Sequence, residues 1–248
     1  MSLLSLLATG APTPATNIED VFSAYTYTGT GATQTITNGI DLAGKGGLVW
    51  GKNRAAANEF HRLSDTGRGG SKILFTNATD AEATQNNISS FNANGFSLTS
   101  DSALNYVNNT YISWTFRKAA KFFDVVTYTG NGANRTIAHS LGAVPGMIKV
   151  KRTDVAGSWM VYHRSLTSNA YNLVLNTTAA EVSTPTAWNS TTADASVFSL
   201  GTHADVNTNA GTYVAYLFGH DTSSTGMIQC GSYVEPAASW LDVTLGYE

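Results

Sequence analysis

From Val21 onward, apolar positions fall in short alternating runs rich in Thr, Tyr, Val, Ile and Phe, broken by Gly and Asn. Alternation with period two gives a ribbon one buried and one solvated face, and β-branched and aromatic residues suit that surface. The pattern predicts strands near 21–27, 33–36, 47–52, 59–63, 72–75, 95–99 and 110–117. It predicts a second set near 123–128, 135–137, 146–151, 159–164, 172–175, 197–200 and 212–218. About seven strands per set is the count of an antiparallel β-sandwich, so the expected fold class is all-β with two sandwich units in tandem.

The two sets share words as well as rhythm. Tyr128-Thr129-Gly130-Asn131-Gly132-Ala133 restates Tyr27-Thr28-Gly29-Thr30-Gly31-Ala32, with Tyr128 101 residues after Tyr27. His163-Arg164 restates His61-Arg62, and Thr212-Tyr213-Val214-Ala215-Tyr216-Leu217-Phe218 restates Thr110-Tyr111-Ile112-Ser113-Trp114-Thr115-Phe116, each at an offset of 102. Tandem units of domain size build length, which spacers, adhesins and fibres need and enzymes seldom do. The expected division is 1–19 an anchor segment, 20–121 the first repeat, 122–221 the second, and 222–248 a linker with the start of an incomplete third. Ile228-Gln229-Cys230-Gly231-Ser232-Tyr233 and Val243-Thr244-Leu245-Gly246-Tyr247-Glu248 read as that third start. Two strands alone leave an open edge, so they are expected to pair with another subunit or with sequence beyond Glu248.

Helical signals are thin. Asn77-Ala78-Thr79-Asp80-Ala81-Glu82-Ala83-Thr84 predicts one turn capped by Asn77, with 179–181 at the same place in the second unit. Gly29-Thr30-Gly31 and Gly130-Asn131-Gly132 read as hairpin turns needing positive φ. No helix follows them to make a phosphate cradle. The junction Arg117-Lys118-Ala119-Ala120-Lys121-Phe122-Phe123 lacks linker composition and predicts a stiff connection. Asp221-Thr222-Ser223-Ser224-Thr225-Gly226 reads as a flexible link.

The first nineteen residues stand apart. Leu3, Leu4, Leu6 and Leu7 precede a Pro-containing stretch that favours an extended path. They read either as a strip that orders against a partner or as a frayed terminus, and four leucines favour the anchor. The stretch lacks the cationic start of a secretion signal and reads as mature sequence. No later apolar run approaches a membrane span.

Composition narrows the class. Hydrophobic residues make up 42% of the 248 residues but charged ones only 12%, so the surface is built of Thr, Ser, Asn and Gly. With 14 Lys plus Arg against 17 Asp plus Glu, nothing favours nucleic acid as a partner. The single cysteine, Cys230, rules out an intrachain disulfide framework and reads as a small buried hydrophobe in a strand.

Candidate chemistry is sparse, and no catalytic or cofactor-binding residues are expected. Glycan hydrolysis needs facing carboxylates, and the nearest candidate, Asp80-Ala81-Glu82, lies in the expected turn with Ala179 as the second unit's counterpart of Asp80. The repeated His-Arg dyads lack a nucleophile and an orienting acid, so they read as fold elements. His139, His203 and His220 are scattered, without the spacing of a metal site. Trp50, Trp159, Trp188 and Trp240 are the candidates for stacking on sugar rings. Trp159 is the preferred glycan platform, because Ala57 holds the equivalent position in the first repeat.

Longer strings carry a resemblance. Thr115-Phe116-Arg117-Lys118-Ala119, Phe122-Phe123-Asp124-Val125-Val126-Thr127-Tyr128-Thr129-Gly130-Asn131-Gly132, Leu141-Gly142-Ala143-Val144-Pro145, Val161-Tyr162-His163-Arg164 and Gly211-Thr212-Tyr213-Val214-Ala215-Tyr216-Leu217-Phe218 are similar to a repeat family of tail-fibre-like structural proteins of bacteriophages. The resemblance covers about residues 20 to 248. It implies concanavalin-like or jelly-roll-like β-sandwich repeats in the virion-proximal part of a tail fibre. It also implies a homotrimer, with the N-terminus docked on the phage tail or its adaptor and a receptor-binding tip beyond. The family brings no catalytic or sugar-contacting residues. The expectation is therefore a non-enzymatic virion protein without cofactor or metal. A lectin-like adhesin binding host surface polysaccharide, a capsid-attached head fibre or decoration protein, and a polysaccharide depolymerase stand as alternatives.

Overall fold

The structure is a computed structural model in which residues 16–100 and 102–234 are described. The Leu3, Leu4, Leu6 and Leu7 strip, Trp240 and the 243–248 string lie outside those residues. In chain order the first half runs α1 (Ile18–Val21), β1 (Phe22–Thr28), β2 (Gln34–Thr37), α2 (Leu42–Lys45), β3 (Gly47–Asn53), β4 (Arg62–Asp65), β5 (Gly69–Phe75), β6 (Ala83–Thr84), β7 (Ile88–Asn92), β8 (Gly95–Leu98), α3 (Ser102–Asn105) and β9 (Thr110–Arg117). The second half runs β10 (Phe123–Thr129), β11 (Arg135–Ala138), β12 (Met147–Arg152), β13 (Met160–His163), β14 (Tyr171–Val174), β15 (Val182–Ser183), α4 (Pro185–Trp188), β16 (Val197–Leu200), α5 (Ala204–Asn207) and β17 (Thr212–Phe218).

The protein is all-β, with several antiparallel sheets and only single-turn helices. One six-stranded sheet has the order β1-β9-β3-β4-β5-β6 and the other β10-β17-β12-β13-β14-β15, so the second half repeats the first strand for strand. Smaller sheets, β2-β8-β7 and β11-β16, accompany them. Registers repeat too: Tyr27 lies opposite Tyr111 and Tyr128 opposite Tyr213. The second half has no counterpart of β7. The end of α4 and the turn after it occupy that stretch, with Pro185 at the helix's first position.

Alternation within the strands builds three cores. On one face of β3 and β9, Val49 packs with Ile36, Ile88, Phe96, Leu98 and Leu104 under the small sheet. In the second half, Ile148, Val150, Tyr213, Ala215 and Leu217 pack with Ile137, Phe198, Leu200 and Trp188. The third core belongs to both halves. Val21, Leu48, Leu63 and Leu74 of the first meet Phe123, Val125, Trp159, Val214, Tyr216 and Phe218 of the second. Phe116 bridges the halves, with ring centroids 5.6 Å from Phe123 and 5.5 Å from Phe218. The stiff junction is thus embedded in packing: Lys118 Nζ pairs with buried Asp124 at 2.8 Å, and Ala119 bridges to Phe123.

Four expectations need correction. Residues 77–82 form no helix: Asn77 accepts the His61 N–H with its side chain, Glu82 N–H donates to Thr153 O, and β6 pairs with β5. The equivalent second-half stretch leads into β15. The Gly-bearing loops are not hairpins, because β1 pairs with β9 while β2 pairs with β8; each loop carries the chain from one sheet to another. Residues 221–226 are a tied turn rather than a loose link, with Ser223 N–H on the Asp221 carboxylate and Asp221 N–H on Ile228 O. Residues 228–233 form no strand. Met227 and Ile228 pack onto the shared core, and Cys230 is buried there outside any strand, its N–H on His220 Nδ1 and its thiol on Gly219 O.

Candidate functional site

The repeated words hold loops to the sheets. In the first loop Gly29 N–H donates to Asn109 O, Gly31 N–H to Asn105 O and Thr30 N–H to Asn105 Oδ1. The second loop repeats this on Asn207: Asn131 N–H donates to Asn207 Oδ1 at 3.0 Å, and Asn207 Nδ2 donates to Ala133 O and Gly201 O. The tyrosine that opens each word stacks on its neighbour, Tyr27 on Tyr111 and Tyr128 on Tyr213, both with centroids 5.2 Å apart. Their hydroxyls donate to Leu104 O and Val206 O. Gly29 and Gly130 are required by close approach, since an added Cβ would lie 2.2 Å from Tyr106 O or Thr208 O. These words are scaffold.

What the repeats do not share lies between them. Asp65 is fully buried and accepts from Arg68 Nε at 2.7 Å, while Arg68 Nη1 reaches Glu82 at 2.9 Å. Across the interface Tyr216 Oη donates to Asp65 Oδ2 at 2.6 Å and accepts from Arg68 Nη2 at 3.1 Å. Burial works against the Arg68 charge, but Tyr216, Asp65 and Glu82 outweigh it and hold its pKa above the usual value. Burial foremost, with Asp65 adding, raises the Tyr216 phenol, so it stays a neutral donor. Glu82, one half of the nearest candidate for a carboxylate pair, is engaged with Arg68 and with Lys72 at 3.3 Å. A cleft of about 390 Å³ opens beside it, lined by Arg68, Lys72, Glu82, Thr127, Thr153 and Thr212 among others.

Trp159 is corrected from a glycan platform to a core residue. It is 0% exposed, stacks near Tyr216 at 6.2 Å and donates its indole N–H to Phe75 O of the first repeat at 2.9 Å. Strand register puts His61, not Ala57, in the equivalent place, its N–H on Asn77 Oδ1 as that of Trp159 is on Asn176 Oδ1; the interface forms once, so one repeat supplies the plug and the other the acceptor. Trp188 is likewise buried, in the second repeat's own core. Trp50 is the exception, half-buried on a second cleft of about 380 Å³ between the repeats.

Lys149 sits against this indole, its ammonium 5.1 Å from the ring centroids of both Trp50 and Phe218. Burial pushes its pKa down to about 8, with Cys230 acting weakly the other way. The unfolded chain keeps that proton up to about pH 10.4. Between about pH 8 and 10 the unfolded state therefore holds more protons, and stability rises with pH. Lys149→Met is expected to flatten this rise and to raise stability at neutral pH, checked by urea unfolding at pH 7, 8.5 and 9.5. An unchanged slope would contradict the burial of the ammonium.

Four of the five histidines serve backbone. His163 Nδ1 accepts from Ser165 N–H, His203 Nδ1 from Asp205 N–H and His220 Nδ1 from Cys230 N–H, while His139 contacts Asp194 O. Of the dyad arginines, Arg62 lies over the Phe75 ring at 5.3 Å and Arg164 reaches Cys230 O. Among the described residues no three His, Cys, Asp or Glu side chains group as metal ligands. None of their helices is long and apolar enough to cross a membrane.

The Arg68 network was missed in the sequence, where its signal is a break in the repeat: strand register sets Asp65 against His163 and Glu82 against Glu181, and where Arg68 donates to Glu82 the second repeat has Thr167 donating to Glu181. Comparison with known proteins gives a family model described as Domain of unknown function (DUF7483), matching residues 17–239. No curated protein and no solved structure matches the chain.

Proposed function

The chain belongs to the DUF7483 family, and we propose that it is a structural module of a bacteriophage tail fibre, a two-repeat block that spaces a receptor-binding tip from the tail. Each repeat is read as a concanavalin-like β-sandwich, made of a six-stranded sheet and its smaller companion. The Leu3, Leu4, Leu6 and Leu7 strip docks on the tail or an adaptor, and three chains form the fibre. The observation that carries the reading is the shared core with its buried Asp65–Arg68–Tyr216 bridge. Two free-standing domains would not bury charge between them, and a load-bearing spacer benefits from repeats that cannot rotate against each other. The repeated residues serve loops and strands, leaving the spacer role without a chemical one. The proposed role is non-enzymatic.

Immunogold labelling of phage particles with antibodies to this chain tests the assignment. Gold along the tail fibres is the expected result. Gold on the capsid surface would move the chain to a head fibre, and particles without label would overturn the virion reading.

A further inference from the structure

The cleft at Trp50 combines surfaces that the spacer role leaves unused. Trp50 and Leu175 line it with apolar surface, while Asn77 from the first repeat and Asn176 from the second bring carboxamides to it. Each carboxamide is anchored by its oxygen: Asn77 Oδ1 accepts from His61 N–H and Asn176 Oδ1 from Trp159 N–H, both at 2.9 Å. Anchoring fixes the side chains before any ligand arrives, and neither Nδ2 has a protein partner among the described residues. Thr178 adds an exposed hydroxyl. The one titratable lining residue is His61, whose pKa is lowered by burial first and by Lys52 second, so it is neutral at pH 7.

We propose that this cleft is a binding site for a neutral saccharide. The match is chemical. A pyranose has an apolar C–H face that packs on an indole and hydroxyls that accept from carboxamide N–H groups. A volume of about 380 Å³ accommodates a sugar unit with part of its neighbour. An anionic sugar or a phosphate ester would need a cation facing it, and no lysine or arginine lines the cleft: the Lys149 ammonium is packed against the Trp50 and Phe218 rings and Lys52 Nζ donates to Glu59 O. Because residues of both repeats form it, the site exists only in the joined pair, which ties recognition to the rigid geometry of the block.

The test uses the full chain with trisaccharides of glucose, mannose, galactose and N-acetylglucosamine as probes, and a uronic-acid trisaccharide as the charged control. Binding is read by tryptophan fluorescence and by side-chain amide shifts of Asn77 and Asn176. At least one neutral probe is expected to saturate, with affinity falling about tenfold or more in Trp50→Ala and in Thr178→Trp. Thr178 is exposed and makes no hydrogen bond within the described residues, so a tryptophan there blocks the cleft while its unfolding midpoint stays that of the parent; it guards against a fold defect in Trp50→Ala. Absence of binding by every neutral probe, preference for the uronic acid, or affinity unchanged in Thr178→Trp would each overturn the proposal.

Discussion

Arg68→Ala is expected to destabilise the chain by about 3–5 kcal/mol, because it leaves a buried carboxylate without its counter-charge. Asp65 has no solvent to turn to, and Arg68 is its ion-pair partner at 2.7 Å. Glu82 also loses its 2.9 Å contact, though Lys72 remains beside it. Tyr216→Phe removes two hydrogen bonds from the same cluster but leaves Asp65 paired with Arg68, so its cost is expected near 1–3 kcal/mol. Urea unfolding of both variants provides the comparison. Costs below about 1 kcal/mol for Arg68→Ala would mean that the cluster is hydrated and that the repeats are held by apolar packing alone. The ordering of the two variants matters as much as their size, since a general loosening of the interface would affect both alike.

Asn105→Ala and Asn207→Ala are expected to cost about 2–4 kcal/mol each, the sum of several backbone groups left without partners. One buried carboxamide replaces the ladder that the crossing loop lacks. In the second repeat it accepts from Asn131 N–H and donates to Ala133 O and Gly201 O. In the first, Asn105 accepts from Thr30 N–H and donates to Ala32 O and Thr99 O. Asn→Asp at either site keeps the acceptor but removes the donor and is expected to destabilise nearly as much. Unfolding midpoints provide the check, and hydrogen exchange of the Thr30 and Asn131 amides localises the damage. If those amides stay protected in the alanine variants, the loops are held by other contacts and the account of the repeated words is wrong.

The sequence made the sheets legible because their cores depend on local alternation. Thr110–Arg117 and Thr212–Phe218 emerge as strands with one face in a repeat's own core and the other toward the interface. Short polar strands were hidden. Ile88–Asn92 carries Ser89, Ser90 and Asn92, and Ala83–Thr84 has two residues, so only pairing with β8 and β5 makes them strands. The loops misled for a related reason. Gly29-Thr30-Gly31 has hairpin composition, but the glycines answer to the approach of the α3–β9 connection, whose carbonyls lie some eighty residues away.

Site residues were harder because a difference between repeats has two meanings. At a constant offset Trp159 falls against Ala57, and in register against His61; either difference signals a residue freed from the repeat's own core, which suits a ligand platform and an inter-repeat plug equally. Only the Phe75 carbonyl at 2.9 Å decides for the plug. Arg68 against Thr167 carries the same kind of signal in charge. Trp50 was visible as a candidate, yet its position on the cleft depends on Asn77 and Asn176, which lie close only once the halves are packed.

The solution mass and hydrodynamic radius of the full chain, measured by light scattering coupled to gel filtration, test the fibre account most directly. The account predicts a particle of three times the chain mass with a radius larger than that of a compact body of that mass. A monodisperse compact monomer at all concentrations would contradict it.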